Sequence, residues 1–189
     1  NEMRKGSKPE MDGKLKIGIL GGGGILAAHA PGYTRLADLC EVVVAETDAS
    51  RYAEIRRLLG EQVRIAGDYN ELLADDSVDA VDIILPHHLH APATIAAAQA
   101  GKHVLTEKVM ARSVEECDRM IEACAQAGVS LTVCHDRRYD ADWQALKQVV
   151  DSGELGQVLF WKMEHNQNVV FPERSWVRSK AKLGGGAIM

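Results

Sequence analysis

The sequence predicts an α/β protein in which a doubly wound parallel sheet is followed by the start of a second domain. Three observations carry this. From Lys14 onward, short apolar runs alternate with longer segments of helical period. Alternation repeated this often means right-handed βαβ units, with helices on both faces of a parallel sheet. Four glycines, Gly21 to Gly24, stand directly between the first apolar run and the first helical segment. After Gly153 the pattern changes, and a single stretch of alternating polar and apolar residues, "GQVLFWKMEHNQNVV", replaces it.

Taken in order, "LKIGIL" reads as a strand and is followed by a helical stretch to Leu39; Pro31 falls inside it and predicts a kink or a restart. "EVVVAE" leads to the helix "ASRYAEIRRLLG", "VRIAG" to "YNELLADD", and "VDAVDIILP" to "HAPATIAAAQAG". "KHVLTEK" precedes "SVEECDRMIEACAQAG", where Ser113 and Glu116 have capping-box spacing and Gly128 supplies the stop. "VSLTVCH" precedes "DADWQALKQVVDSG". The boundary between domains is expected near Gly153 to Gly156. Residues 1–13 read as a polar tail, 14–153 as the first domain and 154–189 as an incomplete second one.

Of the 189 residues, 46% are hydrophobic and 26% charged, with a net charge of −5 and both signs interspersed, so neither a nucleic-acid footprint nor a membrane-attracting patch is expected. The polar opening lacks the apolar core of a signal peptide, and no run approaches the ~18 residues of a membrane span, which predicts a cytoplasmic location. Cys40, Cys117, Cys124 and Cys134 form no C-x-x-C pair and read as reduced thiols.

The glycine run is the first chemical signal. Glycines between a strand and a helix let the chain turn tightly and let a pyrophosphate approach backbone N–H groups at the positive helix end. Gly21 and Gly23 match the first two positions of G-x-G-x-x-G, with Leu26 at the third; a second frame, Gly22, Gly24 and Ala27, fits G-x-G-x-x-A. Gly21, Gly23, Gly24 and Ile25 are therefore candidates for holding a dinucleotide. Glu46 ends the second strand, near the ~20-residue offset of a carboxylate that accepts ribose hydroxyls. A carboxylate there repels a 2′-phosphate and favours NAD over NADP. Asp48 competes for the same task, and Arg51 is placed to attract a phosphate instead.

In an open parallel sheet, ligands bind outside the carboxyl ends of the strands, and polar groups gather there. The fourth strand ends in "PHHLH", the fifth in "TEK" and the sixth in "CHDRRYD". Pro86, His87, His90, Glu107, Lys108 and Arg137 join the cofactor-binding candidates. Three histidines within four residues invite a metal reading, but without helical i, i+4 spacing or a dedicated carboxylate the expectation is no metal and a loop lining the cofactor. His90 is also placed to begin a helix as a spacer. Two roles are open to Arg137 and Arg138: binding an anionic substrate group, or pairing with nearby acids.

With these residues in view, the chain resembles the family of glucose-fructose oxidoreductase, inositol 2-dehydrogenase and the MocA-like proteins. The likeness covers Lys14 to about Phe160, in "IGILGGGGI…HAPGY", "PHHLHAP…AAAQAGKHVLTEK" and "CHDRRYDADWQALK…DSGELGQV". It implies a Rossmann domain followed by an α/β domain with a large open sheet. It also implies NAD(P)-dependent oxidation or reduction of a sugar, polyol or related carbonyl, and a homo-oligomer formed through the second domain. The family's E-K-P motif falls on Glu107, Lys108 and Val109. Lys108 is then the catalytic residue, hydrogen-bonding the reacting oxygen from a partly desolvated rim, with Glu107 holding its ammonium or facing the cofactor ribose. Val109 stands where Pro is usual, Asp136 where Asn is common and Leu26 where Gly or Ala is common. The Asp and His that follow "GGGAIM" in the family lie outside this sequence. Two other functions fit such a chain: hydrolysis or elimination through tightly held NAD, and dinucleotide sensing without catalysis.

Overall fold

The computed structural model describes residues 13–164, 166, 168, 170–173 and 175–184. Six strands, β1 (Leu15–Leu20), β2 (Cys40–Ala45), β3 (Arg64–Ala66), β4 (Ala80–Ile83), β5 (His103–Glu107) and β6 (Leu131–Cys134), form one sheet in the order β3-β2-β1-β4-β5-β6. Every pairing is parallel. Two halves wind outward from the β1–β4 junction, leaving a crevice at the strand ends where the order reverses.

Seven helices are present among the described residues: α1 (Leu26–Arg35), α2 (Tyr52–Leu59), α3 (Tyr69–Leu73), α4 (His90–Gln99), α5 (Val114–Ala127), α6 (Ala141–Asp151) and α7 (Lys180–Leu183). Residue alternation along the strands divides the core. Leu20, Val43, Val81, Ile83 and Val104 pack with Leu72 of α3, Ala93 and Ala97 of α4 and Cys124 of α5. Ile19 and Val44 point the other way, to Leu26 of α1 and Ile55 of α2. Fully burying a Leu, Ile or Val contributes about 1.5–3 kcal/mol, so the two layers hold the strand ends, and whatever they carry, in fixed register.

Helix ends follow the local chemistry. Asp68 and Glu71 form a capping box at the start of α3. Ser113 accepts the Glu116 N–H at 3.2 Å, but Glu116 turns its own carboxylate to the Arg112 guanidinium and backbone N–H, so only half of the expected box forms. Gly128 ends α5 in the left-handed region, φ +68°. Helix α1 runs through Pro31 without the expected restart and ends at Arg35 rather than Leu39. Both Pro31 and Ala27, whose carbonyl loses a donor to the proline ring, are exposed, so that carbonyl is open to hydration.

The expected strand after Gly156 does not form among the described residues; positions 157–164 pair with no other strand. Alternating side chains favour a strand only when a neighbouring backbone supplies its ladder. Leu159 and Phe160 stay 85% and 81% exposed. The polar tail to Asp12 and the apolar "GAIM" at 186–189 lie outside the described residues. All four cysteines are free thiols. Among the described residues no helix is long and apolar enough to cross a membrane.

Candidate active site

The glycine turn sits where β1 meets α1. Gly21 donates its N–H to the Ala45 carbonyl at 2.9 Å and adopts φ +103°, which only glycine takes without strain. Gly22 packs so closely that a Cβ there would meet Ile55 Cδ1 at 2.5 Å and Glu46 Oε2 at 3.1 Å. Gly22 donates its N–H to Glu46 Oε2 at 2.8 Å, and Glu46 Oε1 accepts the Asp48 N–H at 2.8 Å. Among the described residues, the N–H groups of Gly23, Gly24 and Ile25 donate to no protein acceptor. Three unpaired donors at the start of a ten-residue helix form an anion site.

A cleft of about 100 Å³ opens over this turn, lined by Gly22, Gly23, Gly24, Ala27, Arg51, Glu54 and Leu58. Leu26, at the third motif position, points away from it and is fully buried against Ile19, Val44 and Ile55. Asp48 is committed elsewhere: it accepts the N–H and hydroxyl of Ser50, capping the short 3₁₀ turn before α2. Glu46 is thus the carboxylate at the end of β2 nearest the glycines. Arg51 Nε lies 3.9 Å from it and 3.5 Å from Asp48, a cation at the mouth of the cleft. The turn fits a pyrophosphate and Glu46 fits a ribose, on the strength of free donors and a close backbone approach.

The other half of the crevice holds the loops after β4, β5 and β6. Of the two roles expected of His90, the structure shows the helix start and not the cofactor contact. His90 is fully buried, with Nδ1 2.8 Å from the Val109 carbonyl and Nε2 2.7 Å from that of Leu85. It starts α4 and ties the loop after β5 to the end of β4, so no face of it is left for a ligand. Pro86 begins the 3₁₀ turn that presents His87 and His88. His87 Nδ1 pairs with the Leu183 carbonyl at 3.0 Å, and its ring meets Trp176 edge-on at 4.6 Å. Burial holds both His87 and His88 below the usual imidazole range. Arg137 pairs with Asp140 at 3.1 Å beside a 290 Å³ hollow that also includes Ala141, Asp142 and Trp143. Of its two expected roles, the structure displays the ion pair.

Glu107 and Lys108 part company. Glu107 closes β5 opposite Cys134 and turns inward, 9% exposed, while Lys108 is exposed and its ammonium contacts no acid among the described residues. Of the two roles expected of Glu107, holding the Lys108 ammonium is not seen among the described residues: the carboxylate turns inward, and the lysine just past the end of β5 is exposed. Glu107 Oε1 instead lies 3.1 Å from His29 Nε2, and Oε2 accepts the Lys108 backbone N–H at 3.1 Å. The bond from Lys108 to Val109 is cis.

Beneath the rim lies a polar cluster that the sequence reading missed. His29 Nδ1 is 2.7 Å from Asp82 Oδ2, which also accepts the Tyr33 hydroxyl at 2.7 Å. The bonds to Asp82 and Glu107 outweigh burial and raise His29 to about 10. Burial pushes Glu107 up, but His29, the Cys134 thiol and Lys108 together bring it below its usual range. Burial and then Glu107 push Cys134 up to about 12. Ligand atoms of His29, Glu107 and Cys134 lie within 4.8 Å of one another, a donor set able to hold a metal ion. In the hydrogen-bonded arrangement each is already engaged, and the thiol keeps its proton, so a metal would have to displace the imidazole–carboxylate bonds. Asp82, a charge inside the apolar run "VDAVDIILP", was the available signal.

Comparison with known proteins agrees with this geometry. The profile of the oxidoreductase family, NAD-binding Rossmann fold, matches residues 15–135. An uncharacterized oxidoreductase of Rhizobium meliloti is 34% identical over 177 residues, covering 92% of this chain and 52% of the relative. Levoglucosan dehydrogenase of Pseudarthrobacter phenanthrenivorans is 30% identical over 185 residues, covering 92% and 47%. Myo-inositol 2-dehydrogenase of Thermotoga maritima is 32% identical over 143 residues, covering 76% and 42%. The chain thus spans about half the length of the curated relatives it matches. Among solved structures, levoglucosan dehydrogenase in complex with NADH and levoglucosan superposes with a TM-score of 0.76 at 29% identity, covering 93% of this chain and 50% of the other. The WlbA dehydrogenase of Bordetella pertussis, in complex with NADH and UDP-GlcNAcA, gives 0.70 at 32% identity, covering 76% and 44%. With the parallel sheet, the glycine turn and the E-K pair at the end of β5 all in place, the chain belongs to the Gfo/Idh/MocA family of oxidoreductases with an NAD-binding Rossmann fold.

Proposed function

We propose that this protein is an NAD-dependent oxidoreductase that moves a hydride between the nicotinamide and a CH–OH carbon of a sugar, polyol or related carbonyl compound. One observation carries the reading: three unpaired N–H donors, the Glu46 carboxylate and the exposed Lys108 ammonium all lie at the carboxyl ends of one parallel sheet. The relatives named as levoglucosan and myo-inositol dehydrogenases support the substrate class.

In this reading, Gly23, Gly24 and Ile25 hold the pyrophosphate, and Glu46 accepts ribose hydroxyls while repelling a 2′-phosphate. Bound there, NAD supplies the hydride acceptor. Lys108 donates a hydrogen bond from Nζ to the substrate oxygen and takes part in moving that oxygen's proton. Residues 154–189 begin the substrate domain, through which the protein forms a homo-oligomer. Relatives with NADP exist, such as scyllo-inositol 2-dehydrogenase (NADP(+)) of Bacillus subtilis, so cofactor choice falls to Glu46 and Arg51. The test is calorimetric titration of the intact protein with NAD and NADP, together with NADH formation on a polyol and sugar panel. Tighter NAD binding with steady NADH accumulation supports the reading. Binding without turnover on any member of the panel overturns it.

A further inference from the structure

The cluster under the rim has more charge than a core requires. Asp82 lies on a central strand at 1% exposure, and its Oδ1 has no partner among the described residues. Glu107, on the neighbouring strand, is nearly as enclosed. A buried carboxylate is costly unless paired with charge and hydrogen bonds, and two close together are costlier still.

His29 stands between them. Nδ1 faces Asp82 Oδ2 at 2.7 Å, and Nε2 faces Glu107 Oε1 at 3.1 Å. A neutral imidazole has one N–H and one lone pair, so it can donate to only one carboxylate and would set a lone pair against the other. Satisfying both requires both nitrogens to donate. The remaining groups around the ring agree: the Tyr33 hydroxyl donates to Asp82 from α1, and the Cys134 thiol faces Glu107 from β6. Lys108 is a further cation felt by Glu107, and its backbone N–H donates to Glu107 Oε2.

We propose that His29 is a positioning residue: a doubly donating imidazolium that ties Asp82 to Glu107 and, through Glu107, fixes the backbone from which Lys108 reaches the rim. The bond path is short. His29 orients one oxygen of Glu107, and the other oxygen holds the Lys108 N–H. Where a reacting group must be placed to within an ångström, such support is reflected in turnover. The kinetic part of this rests on the oxidoreductase reading above, whereas the charge state and the hold on Lys108 do not.

The experiment uses the intact, isotope-labelled protein. Proton–nitrogen correlation spectra of His29 at about pH 8, where an ordinary histidine is neutral, should show both ring nitrogens protonated. His29→Gln cannot donate from two opposed nitrogens, so it should shift the Lys108 amide resonance. It should also lower kcat by about 10–100-fold while NAD affinity stays unchanged. A neutral ring at that pH, whether through a bound divalent cation or a proton shared by the carboxylates, overturns the proposal. So does a His29→Gln protein with an unmoved Lys108 amide or an unaltered kcat. If the variant does not fold, the ring spectrum of the wild type still decides. Absence of wild-type turnover would count against the oxidoreductase reading alone, and the ring and amide signals would continue to test the clamp.

Discussion

Glu46 Oε2 accepts the Gly22 N–H at 2.8 Å, joining the end of β2 to the glycine turn across 24 residues of sequence. The carboxylate is thereby held at the mouth of the cleft, with Arg51 beside it as the only neighbouring cation among the described residues. Glu46→Ser should narrow the preference for NAD over NADP, because the repulsion of a 2′-phosphate is removed while Arg51 stays. Paired titrations of wild type and variant measure it. Equal affinity for the two cofactors in the wild type would refute the assignment.

Gly22 and Gly24 should respond differently to the same change. A Cβ at Gly22 meets Ile55 Cδ1 at 2.5 Å inside a fully buried cluster, whereas one at Gly24 meets nothing within 4 Å. Overpacking of that kind costs about 1–3 kcal/mol. Gly22→Ala should lower stability by that amount in a denaturant melt, and Gly24→Ala should leave it nearly unchanged. Equal effects at the two positions would mean that Ile55 yields freely.

The sheet was legible because a doubly wound fold writes itself as alternating periods, and each predicted strand from Leu15 to Cys134 is present. The placement of Glu46 against the glycine turn was legible because it depends on residue type at a fixed offset along one βαβ unit. Which of its two expected roles His90 would take was not legible, because a histidine after a strand reads the same whether it faces a cleft or two buried carbonyls. Its full burial arises from the loop at Val109, 19 positions away. Asp82 inside an apolar run signalled a buried polar site, but its partners were out of reach for a related reason. The two bonds of His29 span 53 and 78 residues, and neither Asp82 nor Glu107 announces which helix will cross above it. "TEK" raised the right question, but the answer depends on how the chain leaves β5: the carboxylate turns inward and the lysine just past the strand end is exposed.

The raised His29 value makes stability depend on pH. Unfolded, the ring has the ordinary value of about 6.5; folded, it is held at about 10. The folded state therefore binds the extra proton across this interval, so the stabilisation is fully present below about pH 6.5 and is lost as pH rises through about 10. The gap in melting temperature between wild type and His29→Gln should be widest near the acidic end of that window and shrink towards its alkaline end. Groups that titrate equally in both proteins cancel in this difference. A gap that stays constant with pH would show that the ring contributes packing rather than charge.

Lys108 gives the sharpest separation between a catalytic and a structural role. Its side chain is exposed, and its ammonium has no acidic partner among the described residues, so its removal strands no buried charge. Its backbone N–H, which holds Glu107, survives any side-chain change. Lys108→Met keeps the length of the chain and deletes only the ammonium. Folded stability and NAD affinity should therefore remain near wild type, while kcat falls by about 10²–10⁴-fold, the usual contribution of a positioned acid or base. A structural lysine would show the reverse, with turnover preserved or with stability and cofactor binding lost together. Stopped-flow NADH formation, melting curves and NAD titration on the same preparation distinguish the two, and near-normal kcat would remove Lys108 from the chemistry.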